Sequence, residues 1–463
     1  MDDFGFDHLP LSELVANALA FADPFSSAPK LADERYAPMR VQLDYGRSGL
    51  PVQLPEDCDA KILAYRDVDP IEDPQAALDR VLDRPTGCDS LEELAQGRQT
   101  VCIAICDITR PVPNRLILHA LLGRLERAGI AREDILILVA TGLHRPNDRE
   151  ELIEMVGEEI VDRYRIENHA GQIQAEHTYL GESPRGVPIW IDTRYVEADL
   201  KISTGLIEPH LMAGFSGGRK VICPGLAGID TIKVWHGPEF LSHPKADCGI
   251  LTGNPVHEEN SWIARHVGCD FIVNAVIDAQ RRPLCLVAGE LQAAFDEGVN
   301  FVREVVSATV PKPVDIVVTS AAGYPLDTTF YQCVKGMRAA MPIVKEGGTI
   351  ILAGSMSEGI GSEEFQNLFK THASLEDFMG RLSDPDFFSI DQWQLQKMGQ
   401  VCRKADVQVV TDGLPAETID RLFVRSAHSV ESAIKNALEQ HGADASVAVI
   451  PKGPYVLAEV ATN

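Results

Sequence analysis

The sequence predicts an α/β protein built from two α/β domains, with mainly parallel sheets and an active-site cleft between them. Short apolar runs such as TVCIAIC alternate with segments of helical periodicity, and the alternation restarts after Pro311 and Pro313. Strands buried on both faces give unbroken apolar runs, and strands alternating with helices form parallel sheets. At 463 residues the chain is also too long for one ordinary core.

The first two thirds of the chain contain most of the predicted elements. Residues 1–38 are interpreted as an N-terminal extension with a short helix at 11–21, and residues 39–310 as the first domain. The spacing of apolar residues and the positions of turn-forming residues predict its helices and strands. In order these are a hairpin at 41–55, a helix at 73–85, a strand at 100–106, a helix at 114–128, a strand at 135–140, a helix at 148–156, strands at 188–192, 200–204 and 271–277, and a helix at 291–306.

The pattern of the second domain, residues 311–445, is similar but sparser. It predicts a strand at 315–320, a helix at 329–344, strands at 348–352 and 407–411, and a helix at 430–440. Residues 446–463 are interpreted as a C-terminal strand and tail that returns to the first domain. The cleft between two such domains is a usual place for a ligand.

Composition excludes several classes of function. A formal net charge of −26 disfavours a general binder of nucleic acid or anionic membranes, although a local basic pocket for one small anion is still possible. The sequence shows neither a signal peptide nor an apolar run long enough to span a membrane. Ten scattered cysteines without C-x-x-C pairs are typical of reduced thiols, so we expect a cytoplasmic protein.

Polar residues follow two strands, where open α/β sheets place their ligands. Asp107, Thr109 and Arg110 follow the strand at 100–106 and combine an acceptor, a hydroxyl and a cation suited to carboxylate or phosphate. Helix capping with an exposed arginine is an equally good interpretation. His144 follows the strand at 135–140; alone, such a histidine is more often structural.

The stretch 208–236 is rich in glycine and proline and holds His210, Lys220 and His236. Glycine lets a backbone approach a ligand closely, so such loops tend to surround something bound. The segment 214–220 resembles a phosphate-binding loop, but Val221 stands where the Walker A pattern needs a hydroxyl, which argues against an ATPase. The spacings of the histidines match no common zinc motif.

Tyr331, Gln332 and Lys335 fall on the first helix of the second domain, close enough in the helical repeat to share a face. In isolation, an amphipathic helix with a solvated lysine explains them better than a binding site does. Five signals stand in order along the chain: DITRP, TGLHRP, PHLMAGFSGGRK, the WH pair ending at His236, and YQCVK. Together they resemble the nickel-dependent lactate racemase family over roughly residues 41–455.

The resemblance implies an isomerase that inverts C2 of a 2-hydroxy acid, using a nickel-pincer nucleotide derived from nicotinic acid. Residues 39–310 would be the cofactor-binding domain, and residues 311–445 would close over the substrate. The implied roles are cofactor attachment for Lys220, nickel coordination for His236, acid/base catalysis for His144 and His210, substrate binding for Arg110, Tyr331, Gln332 and Lys335, and nucleotide contact for Asp107 and Thr109.

The resemblance also implies transient partners, the enzymes that build the cofactor. Hydride transfer would suit these residues, because a neutral histidine is too weak a base to remove a C–H proton beside a carboxylate. The alternatives are C2 epimerisation of a sugar acid or racemisation of a hydroxy diacid by the same mechanism, a zinc hydrolase using the histidines, and a non-catalytic nucleotide-binding protein. The sequence indicates neither the preferred substrate nor the oligomeric state.

Overall fold

Two six-stranded sheets form the framework of the protein. The structure is a computed structural model that describes residues 39–461 except residues 56, 57, 59, 279 and 385, so the predicted extension and its helix lie outside the described residues. In chain order the strands are β1 Arg40–Leu43, β2 Leu50–Gln53, β3 Ala60–Ile62, β4 Val101–Cys106, β5 Ile135–Ala140, β6 Arg165–Asn168, β7 His177–Glu182, β8 Pro188–Asp192, β9 Leu200–Leu206, β10 Pro209–His210, β11 Gly214–Phe215, β12 Phe271–Ile277, β13 Pro283–Gly289, β14 Ser307–Val310, β15 Val314–Ser320, β16 Val344–Ala353, β17 Asp406–Val410, β18 Arg425–Ser426, β19 Val447–Ile450 and β20 Leu457–Val460.

The first sheet has the strand order β13-β12-β9-β4-β5-β6. Its pairs are parallel except for β12 with β13, which is an antiparallel edge. Alternate residues of β4 face opposite sides, so Ile103 and Ile105 join one hydrophobic cluster while Cys102 and Ala104 join another. Helices cover both faces, which explains why this strand is apolar at every position.

The second sheet has the order β18-β17-β16-β15-β19-β3 and is parallel throughout. Strand β3 precedes the whole first sheet in the chain, yet it pairs with β19 near the C-terminus. Strand β20 in turn pairs in parallel with β14, the segment that follows the last helix of the first predicted domain. The chain therefore crosses between the sheets more than once, and the predicted domain limits at residues 38, 310 and 445 remain proposals.

The α-helices flank these sheets, and several begin at a side chain that caps them. Asp148 caps α4 by accepting the backbone N–H of Glu151, whose own carboxylate binds the N–H of Asp148 in return. The α-helices are α1 Pro74–Asp83, α2 Leu91–Leu94, α3 Asn114–Arg127, α4 Arg149–Val156, α5 Glu158–Arg163, α6 Thr193–Val196, α7 Arg219–Ile222, α8 Ile229–Trp235, α9 Pro238–Leu241, α10 Pro255–Val267, α11 Ala293–Val306, α12 Phe330–Ala340, α13 Glu363–Thr371, α14 Leu375–Arg381, α15 Gln392–Lys404, α16 Ala416–Asp420 and α17 Val430–His441.

The predicted α/β class with parallel sheets is confirmed. Strands β5 and β12 have the predicted limits, whereas the helix predicted at 329–344 ends at Ala340 because β16 already begins at Val344. The strand predicted at 188–192 exists, but it pairs with β7 in a separate antiparallel sheet. None of the helices in the described part of the chain is long and apolar enough to cross a membrane.

Candidate active site

The carboxyl ends of three neighbouring strands bring the predicted residues of the first domain together. Strand β4 lies between β9 and β5, and all three run in the same direction. Asp107 follows β4, His144 follows β5, and His210 follows β9. Ligands of open parallel sheets bind at this edge, because the loops that leave adjacent strands meet there.

Asp107 connects the loops after β4 and β5. Its Oδ2 lies 2.6 Å from Nδ1 of His144. Its Oδ1 accepts the hydroxyl and the backbone N–H of Thr109, at 2.6 and 3.2 Å. Burial raises the pKa of Asp107, but the hydrogen bonds and charge of His144 and Thr109 outweigh burial and bring that pKa below its ordinary value. Asp107 is therefore an ionised acceptor, and the side chain of His144, 61% exposed, extends from it towards solvent.

Arg110 links the loop after β4 to the loop after β9. Its Nε lies 3.5 Å from Oε1 of Glu208, the residue that opens the glycine-rich stretch. Burial opposes a charged guanidinium, yet the carboxylates of Glu208 and Asp107 more than compensate and raise the pKa of Arg110. Arg110 is thus a permanent cation held in place by a carboxylate, and it lines the cleft.

His210 lies on the same cleft, in the short hairpin that pairs β10 with β11. Its Nδ1 accepts the backbone N–H groups of Ala213 and Met212, at 3.2 and 3.4 Å. Burial, and then the positive charge of Lys220 and other nearby cations, lowers the pKa of His210 well below its ordinary value. A neutral imidazole, rather than an imidazolium, is therefore present at neutral pH.

Glycines shape the loop that precedes Lys220. Gly214, Gly217 and Gly218 have φ of +75°, +82° and +50°, a region that other residues rarely adopt. A Cβ on Gly217 would lie 2.9 Å from Oδ1 of Asn274, the same oxygen that accepts the backbone N–H of Gly218 at 3.1 Å. The loop therefore packs directly on β12, and it needs glycine for the turn and for the close approach.

Arg219 fixes the same loop from inside the protein. Its side chain is buried, and its guanidinium donates to the carbonyls of Ala213 and Phe215 at 3.2 and 3.0 Å. The guanidinium carbon also lies 4.0 Å from the ring centre of Phe295, a cation–π contact. An arginine that binds its own loop's carbonyls holds the shape of the loop, a role that the sequence analysis did not assign.

Lys220 follows Arg219 at the start of α7, and its amine lies 5.2 Å from the ring centre of Trp235. Burial, together with the positive charges of Arg219 and Arg110, lowers the pKa of Lys220 to about 7. A large fraction of this amine is therefore unprotonated at neutral pH, which is the nucleophilic form needed to attach a group covalently.

His236 ends α8 between two indole rings. The part of the protein around the first sheet is called the first lobe, and the part around the second sheet, which includes α15, the second lobe. The ring centre of His236 lies 4.4 Å from that of Trp235 and 5.0 Å from that of Trp393 of the second lobe. Burial and the charge of Lys220 lower the pKa of His236 to about 3, and its buried Nδ1 has no hydrogen-bond partner among the described residues. A neutral imidazole with an unpaired nitrogen is the form that binds a metal ion.

No side-chain cluster completes a metal site around His236. Throughout residues 39–461, apart from the five undescribed positions, no three His, Cys, Asp or Glu side chains converge as a metal-binding group. A metal ion bound by His236 would therefore take its other ligands from a bound cofactor. One histidine with an unpaired nitrogen, beside an amine of lowered pKa, fits such a group.

Helix α12 contributes the predicted residues of the second domain. Burial, and then the positive charge of Arg110, lowers the pKa of Lys335 to about 7, although Glu208 acts in the opposite direction. The buried Oε1 of Gln332 has no hydrogen-bond partner in the part of the chain that the structure describes. The hydroxyl of Tyr331 accepts Nε1–H of Trp393 at 3.2 Å. These groups form a polar wall opposite the first sheet.

The cleft between these walls has a volume of about 900 Å³. Of the predicted residues, Thr109, Arg110, His210, Gln332 and Lys335 line it. Three others adjoin it: Asp107 accepts the hydroxyl of Thr109, His144 contacts Asp107, and Tyr331 is the neighbour of Gln332. Lys220 lies close enough to His210 to lower its pKa, and His236 lies beside Trp235, over whose ring the amine of Lys220 is placed.

Sequence reasoning missed two residues at the start of α15. Trp393 contacts both His236 and Tyr331, and Asp391 has a left-handed φ of +67° while its carboxylate accepts the hydroxyl of Ser362 at 2.5 Å. Burial raises the pKa of Asp391, although its hydrogen bonds and the charge of His144 lower it. Neither residue belongs to a motif, so only the fold reveals them.

Comparison with known proteins identifies the family. Models described as the lactate racemase N-terminal and C-terminal domains match residues 45–249 and 309–458. A lactate racemase from Thermoanaerobacterium thermosaccharolyticum is 35% identical over 424 residues, covering 90% of this chain and 98% of the relative. The chain belongs to the lactate racemase family. It is therefore an isomerase of the racemase type, as predicted.

Further members of the lactate racemase family agree with this assignment. A lactate racemase from Lactiplantibacillus plantarum is 38% identical over 386 residues, covering 83% of this chain and 90% of the relative. The lactate racemase apoprotein from T. thermosaccharolyticum superposes with a TM-score of 0.85 at 34% identity, covering 91% and 100% of the two chains. A protein from Thermotoga maritima, at 18% identity and a TM-score of 0.66, covers 86% and 100% and shares the fold.

Proposed function

We propose that this enzyme inverts C2 of a 2-hydroxy acid, with lactate as the first candidate, using a nickel-pincer nucleotide attached to Lys220. The relatives named as lactate racemases support the substrate class, and the family is known to need nickel. The observation that carries the proposal is that two suitable groups occur together beside a cleft lined by cations. These are the amine of Lys220, whose pKa is about 7, and Nδ1 of His236, which has no hydrogen-bond partner among the described residues.

The cofactor would be held at two points of the 208–236 stretch. Lys220 would attach it covalently through the unprotonated amine, and His236 would supply one ligand to the nickel ion. When bound, such a cofactor supplies a reversible hydride acceptor, which avoids forming a carbanion at C2. Trp393 packs on the ring of His236 and would keep water away from that side.

The substrate carboxylate would bind between Arg110 and Lys335. Arg110 is charged, and Lys335, whose pKa is about 7, is charged in part at neutral pH; one comes from each lobe, and Oε1 of Gln332 lies on the same wall as Lys335. An anion between them would offset the mutual repulsion of the two cations. The cleft, at about 900 Å³, also leaves room for the alternative substrates, a sugar acid epimerised at C2 or a hydroxy diacid.

His144 and His210 would handle the hydroxyl proton as the acid/base pair. They follow strands on either side of β4, so they approach the cleft from neighbouring loops. Both are expected to exchange protons with a substrate oxygen, since each enantiomer presents its hydroxyl in a different direction. A zinc hydrolase would instead need His144, His210 and His236 to converge on one metal ion, and no such group forms among the described residues.

Intact-mass measurement tests the proposal. Protein made together with the cofactor-building enzymes, its proposed transient partners in the cytoplasm, should carry an adduct of about one modified mononucleotide and should racemise lactate. Lys220→Ala should lose both the adduct and activity. Lys233→Ala removes another lysine of the same stretch, whose amine contacts Asp230 at 3.9 Å and lies 5.0 Å from the ring centre of Phe388, and should keep both.

The result that contradicts the proposal is an unmodified wild-type chain that binds zinc and does not racemise any 2-hydroxy acid. A panel of single-enantiomer 2-hydroxy acids, including sugar acids and hydroxy diacids, then distinguishes the substrates by loss of optical purity. His144→Ala and His210→Ala should keep the adduct and lose turnover. Wild-type rates in either variant would contradict the acid/base assignment.

A further inference from the structure

The imidazole of His144 is held by a carboxylate. Its Nδ1 lies 2.6 Å from Oδ2 of Asp107, and the lowered pKa of Asp107 means that this oxygen belongs to an ionised acceptor. An ionised carboxylate offers no hydrogen, so Nδ1 of His144 carries the proton. In the neutral ring the lone pair is therefore on Nε2, at the end away from Asp107.

The imidazole of His210 is held in the opposite way, by backbone amides. The N–H groups of Ala213 and Met212 donate to its Nδ1 at 3.2 and 3.4 Å. A backbone N–H cannot accept a hydrogen bond, so Nδ1 of His210 is unprotonated and Nε2 carries the hydrogen in the neutral ring. The β10–β11 hairpin fixes these amides, because His210 pairs with Gly214 across it.

We propose that Asp107 and the two amides hold His144 and His210 in opposite tautomers, so that the resting site has one base, His144, and one hydrogen-bond donor, His210. Asp107 is then a positioning residue for His144 rather than a contact of the nucleotide. This inference rests on the proposed racemase function only for its catalytic consequence, since the tautomers themselves are a property of the unloaded protein.

The consequence is that the two sides of the resting site are not equivalent. When a substrate hydroxyl meets His144, its O–H bond breaks, the proton joins the Nε2 lone pair, and the O–H electron pair stays on the substrate oxygen. A substrate hydroxyl next to His210 instead contacts Nε2–H, which has no lone pair to accept a proton. The ring would first have to break its hydrogen bonds with the backbone amides of Met212 and Ala213. The resting enzyme is therefore prepared for the enantiomer whose hydroxyl faces His144.

The other groups near His144 do not compete for its Nδ1. Asp391, on the second lobe, interacts electrostatically with His144, but its hydrogen bonds go to Ser362 and Tyr331. Among these groups, Asp107 is therefore the one that determines which nitrogen of His144 carries the proton. Asp391→Asn is accordingly the matched comparison for Asp107→Asn.

The tautomers can be measured directly on unloaded wild-type protein. Long-range ¹⁵N–¹H spectra of histidine-labelled protein distinguish a ring protonated at Nδ1 from one protonated at Nε2, and His144→Gln and His210→Gln assign the two signals among 13 histidines. The expected result is Nδ1–H for His144 and Nε2–H for His210. The same tautomer in both rings overturns the inference, even if the protein is a racemase.

Asp107→Asn tests the positioning role. Its amide would keep a carbonyl towards Thr109 and turn its NH₂ towards His144, which moves the proton of His144 to Nε2. In serine proteases the equivalent change lowers turnover about 10⁴-fold, and we expect a loss of about 10³- to 10⁴-fold here. Asp107→Glu should restore part of the activity, while Asp391→Asn should leave the Nδ1–H signal of His144 in place.

The outcomes separate this inference from the proposed function. Asp107→Asn should keep the melting temperature, the cofactor adduct and the signals of His169, whose own partner Asp192 lies 2.9 Å away. Loss of the adduct in Asp107→Asn would mean that Asp107 serves the cofactor, and an unchanged His144 tautomer would mean that it does not position the ring. Either result overturns the inference. If Asp107→Asn fails to fold, the wild-type spectra still decide.

Discussion

Because Lys335 loses its charge, kcat/KM should decline as the pH rises through about 7. Its pKa is lowered to about 7 by burial and then by Arg110, so in the free enzyme it is charged below that pH and neutral above it. In the proposed mechanism, the charged form of Lys335 binds the substrate carboxylate. Because kcat/KM reports ionisations of the free enzyme, it should fall about tenfold per pH unit above the pKa of Lys335.

The magnitude of the loss follows from the charge-assisted hydrogen bond. Such bonds contribute about 1.5–3 kcal/mol, which corresponds to a factor of roughly 10 to 150 in kcat/KM. Lys335→Met should therefore lose about that factor at pH 6, where the wild-type lysine is charged. Its profile should then lack the decline above pH 7.

Lys335→Arg is the matched control, because a guanidinium stays charged through pH 9. The assay is initial racemisation rate against substrate concentration from pH 6 to 9, using enzyme with a full cofactor adduct measured by intact mass. Lys220 adds no ionisation of its own to the pH profile, because in the enzyme with a full adduct its amine is acylated. A decline above pH 7 that persists unchanged in Lys335→Arg, or a flat wild-type profile, would refute the reasoning.

Two further predictions concern the framework of the site. Asp247→Ala should lower the unfolding free energy by about 3–5 kcal/mol in urea titrations, because it leaves Arg338, bound at 2.6 and 2.8 Å, as an unpaired buried charge. Asp230→Ala, which breaks an exposed pair, should cost about 0–1 kcal/mol, and equal losses would contradict the argument. Gly217→Ala should lose the Lys220 adduct, and it should lower the unfolding free energy more than Gly129→Ala does. Both glycines have positive φ, but of the two only Gly129 has space for a Cβ.

The first sheet could be predicted from the sequence because its strands are covered on both faces. The run ILILVA at β5 is buried over its first five positions, and only a strand in such a place needs that composition. The residues after β4 and β5 were predicted as site residues for a related reason, since both strand ends are easy to find. The limits of β3 and β20 were not predicted, because their partners β19 and β14 are distant in sequence.

Helix α15 was missed because it is buried on a polar side as well as on an apolar one. Leu395, Met398 and Val401 pack in the hydrophobic core, but Gln394, Gln396 and Lys397 are also almost fully buried, so the sequence lacks a clear division into an apolar and a solvent-exposed face. The ammonium of Lys397 instead donates to the carbonyls of Leu241 and Ala246, at 3.0 and 2.6 Å, across the contact with the first lobe. The side chains that precede these contacts, Asp391 and Trp393, could therefore not be recognised without the fold.

This polar contact has a consequence for the site. In a purely apolar interface, a small displacement of one lobe along the other leaves no polar group without a partner. Here the same displacement would leave the ammonium of Lys397, Arg338 and Asp247 buried without their partners. The carbonyls bound by Lys397 lie in the segment directly after His236, and Arg338 lies one helical turn after Lys335. The same contacts therefore fix His236, the proposed nickel ligand, and Lys335, the proposed carboxylate-binding residue, relative to each other, so that the geometry of the proposed reaction depends on polar residues outside the cleft.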